Sequence, residues 1–160
     1  HEVILMNVEY INPFLEAGIN IIKSVLGKDT KLGQLKLLKA PYKSHQVLII
    51  IGMTGDKISG QVAISIDQQT AERIASTMMG GQYANTFDSM ARSALSELFN
   101  MIMGNAASIL YNKGLYIDIT PPTLLTGQDT ELSFFSPAVS IPLHITDLGT
   151  MDMNVSIKEE

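Results

Sequence analysis

The chain has 160 residues, 46% of them hydrophobic and 17% charged, with no Cys and 11 basic against 16 acidic side chains for a net charge of −5. That composition excludes a disordered chain, a disulfide framework, a thiolate nucleophile and a Cys-ligated zinc. Scattered cations without a basic stripe argue against nucleic-acid binding, and no apolar run approaches the roughly 20 residues of a membrane helix.

Residues 1–5, ahead of Met6, read as an expression remnant without function, and residues 6–160 as a single domain of ordinary length. The apolar stretch Val3–Met6 is too short for a signal-peptide core. Absence of Cys fits a reducing compartment, so a cytoplasmic location is expected.

Asn12-Pro13 predicts the start of a first helix, with Asn as cap and Pro in the first turn. Phe14, Leu15, Gly18, Ile19, Ile22, Val25 and Leu26 recur at helical spacing, and Gly27 stops them. A strand is expected over Leu32 to Leu38, and Pro41 breaks the chain. Val47–Met53 and Ile58–Ile66 read as a hairpin around Thr54-Gly55-Asp56-Lys57. Asp67 caps a second helix that Gly80-Gly81 terminates.

The third helix is expected over 87–112, starting near Thr86 or Asp88 and ending at Gly114. Strands follow at Leu115–Ile119, Thr123–Thr126, Val139–Ile145 and Met151–Ile157, with Pro121-Pro122 between the first two. This order predicts an α+β fold, three helices on one face of a mostly antiparallel sheet. A faint internal repeat of helix, strand and hairpin lays Val47 over Val139 and Val62 over Val155.

With Ser93 at zero on a helical wheel, Glu97 lies at about 40°, Asn100 at about −20° and Gly104 at about 20°. Ala91, Leu95, Leu98, Ile102 and Ile109 gather opposite, at roughly 140–200°. Most polar stripes are only solvated helix faces. Two features set this one apart. Asn is a poor helix former at an exposed interior position. Gly104 costs about 1 kcal/mol against Ala there, and either leaves a bald spot for an approaching molecule or packs closely against a neighbouring helix.

The segment Ser93-Ala-Leu-Ser-Glu97-Leu-Phe-Asn100, followed by Gly104-Asn105-Ala106-Ala107, resembles the signature of the CheC/CheX/FliY phosphatases. That signature runs Ser or Asp, Glu four residues on, Asn three later, then a downstream Pro. Here Pro122 comes 22 positions after Asn100, about one short of the family spacing. Tyr10-Ile-Asn-Pro-Phe-Leu-Glu-Ala also looks like the first helix of CheX-type chains. In that helix Glu16 is followed three residues later by Ile19, not Asn. The resemblance is therefore to the one-motif CheX type rather than the duplicated CheC type.

The resemblance implies removal of the phosphoryl group from the aspartyl phosphate of a phosphorylated CheY-like receiver domain. It implies Glu97 and Asn100 as catalytic residues and Ser93, Gly104 and Asn105 as partner-binding. Asn100 would hold water, since a carboxamide both accepts and donates hydrogen bonds, and Glu97 would pair with a receiver Lys. Mg²⁺ would belong to the receiver, with no cofactor on this chain. His1, His45 and His144 lack metal-site spacing. CheX-like chains also join their sheets across a two-fold axis, so a homodimer is expected, through an edge made of the long later strands.

A non-catalytic receiver-binding or flagellar-switch adaptor would use the same helix face. A hydrolase with its own nucleophile is poorly supported: Ser65, Ser89 and Ser108 lie in no nucleophile elbow, and no phosphate-binding loop is present.

Overall fold

A computed structural model describes residues 8–39, 41–81, 87–133 and 137–160. The expected remnant at 1–5 and the alternative helix start at Thr86 lie outside these residues.

The chain forms α1 (Val8–Ile21), extended by a π-helical turn over Ile22–Leu26, then β1 (Thr30–Leu32), β2 (Lys36–Leu38), β3 (Tyr42–Lys43), β4 (Val47–Gly55) and β5 (Ile58–Ile66). There follow α2 (Gln68–Met78), α3 (Ser89–Asn112), β6 (Ile117–Ile119), β7 (Thr123–Thr126), β8 (Glu131–Leu132), β9 (Ala138–Ile145) and β10 (Gly149–Glu159). The large sheet runs β1/β2, β9, β10, β5, β4, β6/β7, every pairing antiparallel. β3 and β8 form a separate ribbon.

The period-2 alternation of the strands puts one buried set on the helix side. It comprises Val47, Ile49, Ile51 and Met53 of β4, Val62, Ile64 and Ile66 of β5, Ile141 and Leu143 of β9, and Met151, Met153 and Val155 of β10. Gly18 of α1 lies so close that a Cβ there would stand 3.2 Å from Leu143 Cδ1. On the other face Ser44 and His45 cover Ser65, whose Oγ accepts from the His45 amide at 2.8 Å.

Several expectations are corrected. α1 does not begin at Asn12-Pro13: it already runs from Val8, with Pro13 inside it. Ile11 is buried, and burying it gives about 1.5–3 kcal/mol. With the hydrogen bonds of the extra turn, that offsets the ~3 kcal/mol cost of an internal Pro. α3 begins at Ser89, not 87, because the Asp88 carboxylate accepts from the Ala91 amide at 2.9 Å and so caps it. It ends as expected: Gly114 takes φ 82°, and the Leu115 amide reaches the Leu110 carbonyl at 2.9 Å. Asp67 likewise caps α2 through the Thr70 amide at 2.8 Å.

The single strand expected over Leu32 to Leu38 is two strands on the same partner. Leu32 pairs with Leu143 and Lys36 with Ser140, so four steps on one side match three on the other: a one-residue bulge. Gly33 sits in it, where a Cβ would stand 2.7 Å from His144 Nε2. The opposite edge repeats the device. Met53 pairs with Ile119 and Ile50 with Thr123, placing the extra residue within Thr120-Pro121-Pro122. Prolines cannot donate to a ladder and collect at edges and bulges. Thr120 secures the bulge, its amide bonding Gly52 O at 2.9 Å and its Oγ1 accepting from Gly52 N at 2.8 Å.

The long later strands do not form an edge. β10 lies at the centre of the sheet and β9 is covered by β1 and β2. The internal repeat holds in topology, since each half supplies a helix, a split edge strand and a hairpin. The residue overlay does not hold: Val47 pairs with Ile66 while Val139 pairs with Val155, so Val62 and Val155 are not ladder equivalents.

Candidate active site on the third helix

At about 1.5 Å per residue, α3 spans roughly 36 Å. Its buried residues include Ala91, Leu95, Leu98, Phe99, Ile102, Met103, Ala106 and Leu110. This arc is wider than the expected apolar stripe, which omitted Phe99, Met103, Ala106 and Leu110. Ile109 packs against the core only partly buried. Ser93, Glu97 and Asn100 are exposed on the opposite side.

Ser93, Glu97 and Asn100 line one shallow depression of about 320 Å³, together with Arg92, Ser96 and Pro122. The helix supplies the floor and the β6–β7 bulge supplies the wall. Glu97 and Asn100 stand three residues apart, one turn, so both can address the same small group at the mouth. Arg92 and Ser96 were not singled out in the sequence. They lie at about −100° and about −60° on the wheel, outside a narrow stripe centred on Ser93. Their signal was the i, i+4, i+8 row Arg92, Ser96, Asn100, which points at Pro122.

Gly104 and Asn105 do not line the depression. A Cβ on Gly104 would meet nothing within 4 Å, so this glycine is open and does not pack against a neighbouring helix. Asn105 lies about 120° from Ser93. It is half-buried, with Oδ1 enclosed and without a hydrogen-bond partner among the described residues.

Other polar groups lie apart from this site. His45 Nε2 stands 3.5 Å from Asp152 Oδ2, and His144 Nδ1 lies 2.7 Å from Thr150 Oγ1. Among the described residues no cluster of three or more His, Asp or Glu is grouped to hold a metal ion, and no helix is long and apolar enough to cross a membrane.

The sequence model for chemotaxis phosphatase CheX matches residues 47–144. The chain is 32% identical over 153 residues to the CheY-P phosphatase CheX of Thermotoga maritima, covering 96% of this chain and 98% of that protein. Among solved structures, it resembles a CheC-like superfamily protein from Shewanella sp. PV-4 with a TM-score of 0.86, at 26% identity over 96% of this chain and 99% of the other. It also resembles a chain of the CheX–CheY–BeF3–Mg²⁺ complex from Borrelia burgdorferi with a TM-score of 0.77, at 27% identity over 96% of this chain and 100% of the other.

Proposed function

This chain belongs to the chemotaxis phosphatase CheX family, and we propose that it hydrolyses the aspartyl phosphate of a CheY-like receiver domain at the face formed by Glu97 and Asn100. The observation that carries this reading is the shared depression. Two exposed polar groups of complementary chemistry, one helical turn apart, stand beside a proline wall.

Phosphoryl transfer needs a positioned nucleophile and stabilised charge more than covalent help. The Asn100 carboxamide is neutral, so the phosphoryl oxygens do not repel it. Its Oδ1 accepts from a water, holding that water's oxygen in line with phosphorus. Attack forms the new P–O bond and breaks the bond to the receiver's carboxylate, releasing inorganic phosphate and a free aspartate. Glu97 pairs with a receiver lysine and sets the docking register. Mg²⁺ is a component of the Borrelia complex; here it would belong to the receiver and neutralise charge on the phosphoryl oxygens. Such a substrate is met in the cytoplasm.

The test is phosphate release from a phosphorylated receiver, with and without this protein. Accelerated release is expected. Binding with unchanged phosphate lifetime would overturn the enzyme reading in favour of the adaptor.

A further inference from the structure

We propose that Arg92 is a docking residue of this site: a guanidinium pinned on the Phe87 ring, it draws the receiver's anionic face onto Glu97 and Asn100 without joining the chemical step. The proposal rests on the phosphatase reading above.

Three observations support it. The first is charge. A protein of net charge −5 must approach a phosphoryl dianion. Of the six residues lining the depression, Arg92 is the cation and Glu97 the anion. Without Arg92 the mouth would carry only negative charge and would oppose the encounter. A cation at the rim of a cleft raises association rates through its field.

The second is immobilisation. The Arg92 guanidinium carbon lies 5.6 Å from the centroid of the Phe87 ring, within cation–π range. Phe87 precedes the Asp88 cap, so the ring is held where the chain enters α3. An arginine on an exposed helix surface normally samples many rotamers. Here the ring modestly favours one direction, which lowers the ordering cost of meeting an anionic partner.

The third is distance. Eight residues separate Arg92 from Asn100, about 12 Å along the axis, and side chains on a helix lean toward its N-terminus. The guanidinium therefore stands clear of the point where Asn100 would hold water. It lies well within the roughly 800 Å² footprint of a docked domain. Arg92 thus acts on the encounter and the complex, not on the reacting atoms.

The experiment measures association of the chain with a receiver activated by beryllofluoride and Mg²⁺, and turnover of the phosphorylated receiver, for wild type, Arg92→Gln, Arg92→Lys and Phe87→Ala. At about 0.01 M salt, where the screening length is roughly 30 Å, Arg92→Gln should slow association about five- to tenfold. Near 1 M salt, where that length is about 3 Å, the two proteins should converge. The loss in kcat/KM should fall on KM. Arg92→Lys should keep the salt dependence, and Phe87→Ala should lose part of it. Equal association of wild type and Arg92→Gln at low salt overturns the proposal, as does a loss confined to kcat. A wild type that neither binds nor dephosphorylates the receiver instead overturns the phosphatase reading itself. Arg92 is exposed, so unfolding midpoints should coincide across the Arg92 variants.

Discussion

At one end of the sheet β6 and β7 meet β4 through a bulge that carries Pro121 and Pro122; at the other, β1 and β2 meet β9 through a bulge that carries Gly33. A helix accompanies each end. Where α3 presents Ser93, Glu97 and Asn100, α1 has Asn12, Glu16 and Ile19 at the same spacing. The two halves share architecture and differ in a few side chains. One has the carboxamide and the proline wall; the other has an aliphatic side chain and a glycine. Fold alone does not confer an activity; in our proposal it resides in the residues grafted onto one of two similar platforms.

The comparison can be broken most directly at Asn100. Asn100→Ala should lower receiver dephosphorylation by about 10²-fold or more, because the attacking water loses its position. The side chain is exposed, so the unfolding midpoint should hardly move. Turnover near wild type would remove Asn100 from the chemistry. Next in size, Glu97→Lys should weaken receiver binding by about 2 kcal/mol, measured by titration, by setting a second cation against the receiver lysine that Glu97 is proposed to pair with. Unchanged affinity with lost turnover would move Glu97 into the chemical step.

The opposite edge offers a different test. Leu32 and Leu35 are 43% and 44% exposed beside the Gly33 bulge, and this edge is our proposed seam for a homodimer. Light scattering at micromolar concentration should give twice the chain mass of 17.5 kDa. Leu35→Lys should halve it, and a wild-type mass of one chain would refute the dimer. At Gly104, Gly104→Leu should impair receiver binding without loss of fold, since nothing lies within 4 Å of a Cβ there. Gly104→Ala should raise stability by about 1 kcal/mol in thermal unfolding. The smallest effect is expected from Ile19→Asn in the Asn100→Ala background. It restores the Glu-x-x-Asn pattern on α1 but no proline wall, so turnover should stay at the Asn100→Ala level. Recovered activity would show that the helix pattern suffices.

What was legible in the sequence had a local cause. Asp67 and Asp88 act as caps within three residues of their targets, Gly27 and Gly114 end helices through positive φ, and the β4–β5 hairpin is marked by the apolar run Val47–Ile51, the alternating apolar residues Val62, Ile64 and Ile66, and the polar turn between the strands. The polar face of α3 followed from helical period alone. What escaped notice depends on partners distant in the chain. Pro121-Pro122 marks the break between two strands, but that both pieces share one partner, as at Gly33, shows only as a mismatch of count against β4 or β9. The two-residue strands β3 and β8 are too short for a pattern. Asn12-Pro13 misled because a strong local start signal yielded to the burial of Ile11 in the core. Arg92 and Ser96 were missed because they line a depression only where Pro122 stands opposite, and the bulge decides that.

The bulge at 120–122 also makes the edge strand sensitive to counting. Ile117 and Ile119 lean on the core at odd positions, while beyond the bulge Leu124 does so at an even one. One added residue has exchanged the parity of the strand. Deleting one residue between Ile119 and Thr123 would flatten the bulge into a regular ladder: Leu124 would keep its inward place opposite Ile49, but the irregularity that seats Pro122 beside α3 would be lost. A length change in the turn at 113–116 would carry no such penalty, because no ladder there keeps count. The interval between Asn100 and Pro122 can thus vary in that turn, while the length of the stretch across the bulge decides where Pro122 stands.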